Sequence, residues 1–194
     1  MPDYKITEDD CAVYIPSGST AKFKPLATCI GSVITPENCN GQGALAGHFM
    51  YSKVNRALVF FNRALKEFGD PENLVLYGSG GGLFSKQMYK YLKEGLPPFQ
   101  IEQLPDYMHY ATSHAKKIIK FMQMVRESGI PEENIHIRFS PPGSVTDFSF
   151  MPATGENKIS VSLKDKNIYT GRIEDAPEPL IPEMDRLNSI LKGT

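Results

Sequence analysis

The chain holds 194 residues, of which 21 are Lys or Arg and 22 are Asp or Glu, with 41% hydrophobic content and a formal net charge of -1. A chain this long buries about 70% of the surface its unfolded form exposes, so one core suffices and its three cysteines are chemistry or packing rather than staples. The near-neutral charge excludes a role dominated by phosphate neutralisation, and the longest apolar run, Ala57 to Phe61, is too short for a membrane span.

The polar, acidic start MPDYKITEDD lacks the profile of a signal peptide. The expectation is therefore a cytoplasmic protein with reduced thiols, no nucleic-acid partner and no membrane insertion. Cys11 follows in a short apolar run and reads as core. Leu26 to Thr35 and Ala44 to Tyr51 are apolar, Gly-punctuated stretches on either side of the turn-rich Pro36 to Gly41, which suits a hairpin. Val54, Leu58, Phe61, Leu65 and Phe68 repeat at spacings of four and three, and Gly69 stands where a C-terminal cap belongs. This pattern predicts an amphipathic helix with one buried face.

Leu74 to Tyr77 reads as a short buried strand leading into Gly78-Ser79-Gly80-Gly81-Gly82. That Gly-rich stretch has no Lys-Ser/Thr pair in phosphate-loop spacing and no G-x-G-x-x-G, because position 83 is Leu. It is read instead as close backbone packing or the lip of a cleft. A weaker helix is expected after Ser85 as far as Gly95, then a Pro-rich loop over 96–106. Met108, Ala111, Ala115, Ile118, Met122 and Val125 predict a second long helix, closed by Gly129 and Pro131. The one basic cluster, Lys116, Lys117, Lys120 and Arg126, reads as a solvated face of that helix, and His109, His114 and His136 as solvent-facing.

Ile135, Ile137 and Phe139, then Phe148 and Phe150, then Ile159, Val161 and Leu163 alternate with polar residues, as half-buried strands do. The last two sets pair as a hairpin across Ala153 to Asn157. Residues 174–194, with Pro177, Pro179 and Pro182 among acidic residues, read as an extension with a short helix near Met184 to Leu191. The order of elements implies an α/β or α+β fold in one domain over 1–173, with its core at about 20–165 and the extension at 174–194.

One pair carries chemistry. Cys29 begins a strand and His48 lies inside the next, so hairpin pairing brings a thiol and an imidazole within reach of each other. An imidazole that takes the proton leaves a thiolate, the species that attacks acyl carbon. Gly31 and Ser32 are read as leaving room for a substrate and for backbone N–H groups that stabilise an oxyanion. A lone cysteine and a lone histidine in strands are commonly plain packing residues. The spacings of Cys29, Cys39 and His48 match no zinc pattern, so neither a metal nor a cofactor is expected.

The stretches Ala27-Thr28-Cys29-Ile30 and Gly43-Ala44-Leu45-Ala46-Gly47-His48-Phe49-Met50 resemble segments of the chemoreceptor glutamine deamidase family, the CheD proteins. In that family a Gly-Ser-Cys-Val type segment precedes a Gly-Gly-Met-x-His-x-Met type segment. The likeness continues in Leu76 to Phe84, similar to the family's strand and Phe-Gly-Gly-Ala loop, in the helix ending at Gly129, and in Phe148 to Val161, similar to its terminal hairpin. The resemblance implies a layered α/β/β sandwich, a fold shared with bacterial deamidase toxin domains. It implies Cys29 as nucleophile and His48 as base, deamidating glutamine side chains of a protein substrate such as a chemoreceptor, with hydrolysis of methyl-glutamate esters as a related activity. It also implies a bacterial, chemotaxis-type setting with a signalling-protein partner.

The family's third site residue is a threonine six positions before the cysteine, where this chain has Phe23. Thr20 is carried as the candidate orienting group, with Thr28 and a backbone carbonyl as alternatives. Two other readings stand beside the deamidase: a non-catalytic binding module that docks a signalling protein, and an effector-type deamidase or transglutaminase.

Overall fold

A computed structural model describes residues 2–23, 25–26, 29–38, 41–80, 120–139, 146–163 and 166–170. The expected helix after Ser85, the Pro-rich loop, His109, His114, Thr28, Cys39 and the acidic extension lie outside these residues. Ten strands are described: β1 (Asp3–Ile6), β2 (Val13–Ile15), β3 (Thr20–Phe23), β4 (Ile30–Pro36), β5 (Ala44–Phe49), β6 (Leu74–Gly80), β7 (Ile135–Phe139), β8 (Thr146–Met151), β9 (Lys158–Leu163) and β10 (Lys166–Thr170). They form two five-stranded sheets, ordered β1-β3-β8-β9-β10 and β2-β5-β4-β6-β7. Helix α1 (Ala57–Phe68) and a helix over 120–127, here α2, supply the helical part.

The fold is thus mixed α/β, as the order of elements implies, and its apolar residues separate into two clusters on opposite faces of the β2-to-β7 sheet. Ile30, Ile34, Leu45 and Leu76 point to the side where α1 and α2 bury Phe60, Phe61, Phe121 and Val125. Val33, Ala44 and Ala46 point the other way and meet Phe23, Phe148 and Phe150 of the second sheet. Successive strand residues face opposite sides, so a strand covered on both faces carries an unbroken apolar run instead of an alternation. That is why β4 and β5 read as continuous apolar stretches while β8 alternates.

Both hairpins expected from the turn chemistry form. In β4 and β5, Ile30 pairs with Phe49, Gly31 with His48 and Ile34 with Leu45. In β8 and β9, Phe150 pairs with Ile159 and Met151 with Lys158 across the turn that holds Gly155. The sheets also extend beyond the expected core at both ends. β1 runs parallel to β3, β2 pairs with β5, and β10 adds an edge strand beside β9. Ile6 and Ile15 are wholly buried, so β1 and β2 are structural members of the sandwich.

Helix α1 departs from its sequence reading in phase. Its buried residues are Ala57, Phe60, Phe61 and Ala64, with Leu65 and Phe68 half-buried, while Leu58 is 48% exposed. Val54 is buried but belongs to a 3-10 segment, Tyr51–Arg56, that contains a non-helical residue at Lys53. A 3-10 turn advances by three residues rather than 3.6, so extending one stripe back to Val54 rotates the expected face onto Leu58. The helix closes where Gly69 N–H donates to the Leu65 carbonyl at 2.9 Å, as the cap signal requires. In α2 the buried residues are Phe121, Met124 and Val125, and Ser128 with Gly129 ends the helix.

Candidate functional site

β4 is the middle strand of its sheet, and its start lies at the end where β5 and β6 finish. Cys29 immediately precedes Ile30, whose partners are Phe49 on one side and Gly80 on the other. The chain reaches this point from the opposite sheet: β3 ends at Phe23, and Leu26 exchanges both backbone hydrogen bonds with Thr146, at 2.7 and 2.9 Å. The strands on either side of Leu26, β3 and β4, therefore belong to different sheets.

Cys29 is half-buried and packs against the cluster between the sheets, the same side as Gly31 and Val33. His48, 4% exposed, lies opposite Gly31, and its ring meets that of Phe23 at a centroid distance of 6.5 Å and an angle of 61°. Since Phe23 belongs to the cluster between the sheets, thiol and imidazole share one face of the sheet on adjacent strands. Cys29 directly precedes Ile30, the first paired residue of β4, and His48 stands one pair further along that ladder. The hairpin thus places the two residues that carry the candidate chemistry on the same side of the sheet.

His48 is held on its outer side as well. Its backbone N–H donates to the Asp10 carbonyl at 2.8 Å. The segment that supplies this carbonyl is tied to α1 and to the 3-10 segment before it: Arg56 donates to the Asp9 carbonyl and Arg63 to the Ala12 carbonyl, each at 2.7 Å. Asp10 closes the segment's own turn by accepting from the backbone N–H and the hydroxyl of Thr7 at 2.7 and 2.8 Å. Cys11, in this segment, packs toward the helices and is separated from Cys29 by the thickness of the sheet.

The small residues beside Cys29 act differently from the sequence reading. A Cβ on Gly31 would stand 2.8 Å from Phe23, 2.9 Å from Leu26 and 3.1 Å from Phe148, so the space over Gly31 is filled by apolar side chains and holds no substrate. Ser32 faces the helices, wholly buried, between Gly47 and Gly78 of the neighbouring strands. What is small at the mouth of the site is Gly80. Its φ of +106° suits glycine, and a Cβ there would run into the Cys29 carbonyl. Gly80, the last described residue of the Gly-rich stretch, packs its backbone closely at Cys29, one of the two roles read for that stretch.

The candidate orienting group Thr20 is not brought to His48. Ala21 and Phe23 of β3 point into the core, so Thr20 and Lys22 point outward, where Lys22 pairs with Asp3 at 2.6 Å. Phe23, six positions before Cys29, stacks instead on Phe148, with centroids 4.8 Å apart and planes within 16°. His136 also differs from its solvent-facing reading: it is half-buried and stacks on Tyr77 at 5.3 Å, because its sheet is covered on that face too.

Ser79 is a buried polar residue on this side of the sheet that the sequence reading passed over. It lies opposite Gly31 on the β6 side, as His48 does on the β5 side, and is 1% exposed. Its hydroxyl has no hydrogen-bond partner among the described residues. A serine framed by glycines gives no periodic signal, and only the strand register shows which way it points.

Among the described residues, no group of three or more His, Cys, Asp or Glu side chains is placed to hold a metal ion, and no helix is long and apolar enough to cross a membrane. Neither family models nor curated proteins of known function give a match to this chain.

Proposed function

We propose that the chain is a CheD-like α/β/β sandwich and a cysteine-dependent amidohydrolase that deamidates glutamine side chains of a protein substrate. The observation that carries this reading is the shared face of Cys29 and His48 on adjacent strands, at the end of a sheet where the glycine backbone of β6 closes on the cysteine. The layering of helices, one sheet and a second sheet is consistent with the same assignment.

In the first half-reaction the Cys29 sulfur bonds to the carboxamide carbon, and the carbonyl electron pair moves to oxygen. Protonated His48 then gives its proton to the amide nitrogen, the C–N bond breaks, and ammonia leaves a thioester. In the second, neutral His48 takes a proton from water, the resulting oxygen bonds to the thioester carbon, and the thiolate departs. The products are the free acid, which ionises to glutamate by passing its proton to the released ammonia, and the regenerated thiolate-imidazolium pair. Burial of His48 against Phe23 limits the motion of its ring, the service an orienting hydroxyl gives in other thiol enzymes.

The test is incubation of candidate glutamine-bearing proteins with the parent chain and with Cys29→Ala. Ammonia release and a gain of about 1 Da per glutamine, absent with Cys29→Ala, support hydrolysis. Amine incorporation in place of the free acid would identify an acyl transferase of the transglutaminase type. The binding-module reading rests on Phe23, an apolar ring against His48 at the place where the family has threonine. Full retention of activity in Cys29→Ala would overturn Cys29 as the nucleophile, and no activity in the parent favours that module.

A further inference from the structure

We propose that Ser79 is a substrate-contacting residue of this site, its hydroxyl donating a hydrogen bond to the oxygen of the carboxamide attacked by Cys29. The proposal rests on the amidohydrolase reading above and names a group that binds its substrate. Three positions form a row across the face between the sheets: His48 on β5, Gly31 on β4 and Ser79 on β6. Cys29 directly precedes β4, two residues before Gly31, and packs on the same side, so His48 and Ser79 flank the nearest paired position on that side, one on each neighbouring strand. Phe23, Leu26 and Phe148 fill the space over Gly31 between them. The imidazole is thereby kept to one flank of the sulfur and the hydroxyl to the other.

That division suits acyl chemistry. The base must reach the leaving nitrogen, and a separate donor must face the oxygen on which negative charge develops. A hydroxyl that is 1% exposed and has no partner among the described residues keeps its donor available. Leaving a buried hydroxyl unpaired opposes folding, so the fold gains nothing from it. Ser32 supplies the internal comparison. Its hydroxyl is equally buried and also without a partner among the described residues, but it points to the helices, away from Cys29.

Two reagents applied to the intact chain separate the roles. Methyl methanethiosulfonate reports thiolate reactivity and carries no carbonyl. 6-Diazo-5-oxonorleucine carries a ketone at the place of the glutamine carboxamide. In Ser79→Ala, labelling of Cys29 by the diazoketone is expected to slow at least tenfold, toward the loss of about 10²-fold or more typical of removing one oxyanion donor. Labelling by the thiosulfonate should stay within twofold, and the thermal midpoint should not fall. Ser32→Ala should change neither rate. An unchanged diazoketone rate in Ser79→Ala, or an equal slowing with both reagents, overturns the assignment of Ser79. If thiosulfonate labelling of parent Cys29 does not depend on His48, the amidohydrolase reading itself fails, and the assignment of Ser79 with it.

Discussion

Phe23 and His48 meet edge to face, with ring centroids 6.5 Å apart, and Phe23 stacks on Phe148 at 4.8 Å on its other side. One phenyl ring thus forms both a wall of the candidate site and a tie between the two sheets. Phe23→Ala should lower stability by about 3–5 kcal/mol, the usual cost of removing a packed aromatic side chain. Denaturant unfolding measures it, and a loss below about 1 kcal/mol would mean that the ring is not packed between the sheets.

Gly31→Ala tests how tightly that wall closes. The added methyl would fall 2.8 Å from Phe23 and 2.9 Å from Leu26, inside normal contact, so it should cost about 1–3 kcal/mol by overpacking. In the Phe23→Leu background the same substitution should cost less, because the smaller side chain yields space. A double-mutant cycle with no coupling between the two positions would contradict the placement of Phe23 over Gly31.

Gly80→Ala should act on the site more than on the core. The residue has φ +106°, and a Cβ there would meet the Cys29 carbonyl, so the backbone must shift at the nucleophile. The expected outcome is slower labelling of Cys29 by thiosulfonate at pH 7, with Cys11 unaffected. Equal rates in parent and variant would show that the Gly80 backbone does not position the cysteine.

On helix α1, Phe60→Ala should cost about 3–5 kcal/mol and Leu58→Ala less than about 0.5 kcal/mol. The bulky residues alone predict the reverse ranking, since Leu58 falls on the expected stripe. In the structure Phe60 is wholly buried and Leu58 is exposed. Thermal unfolding of the two variants decides between the faces.

That contrast shows what is legible in this chain. Elements whose signal is local are recovered: the hairpin at Gly155, the cap at Gly69 and the helix end at Gly129 each follow from a few adjacent residues. The hairpin that sets His48 opposite Gly31, two residues from Cys29, is legible for the same reason, because a hairpin fixes its own register. Properties set by distant packing are not. The outward face of Thr20 depends on which side of β3 meets the other sheet, and the short strands β1 and β2 gain their partners only in the assembled sandwich. Phe23 reads as a departure from a motif, yet its place over Gly31 follows from a crossing between sheets that no periodicity encodes. Ser79 becomes conspicuous only once β6 is aligned with β4.

The most direct test of the central claim is the rate of alkylation of each of the three cysteines against pH, read by peptide mass spectrometry in the parent and in His48→Ala. The account predicts selective labelling of Cys29 with a midpoint below the ordinary thiol value of about 8.5. His48→Ala should remove that selectivity and move the midpoint up to the ordinary range. A Cys29 that reacts no faster than Cys11 or Cys39, with a pH profile that His48→Ala leaves unchanged, would contradict a thiolate-imidazole site.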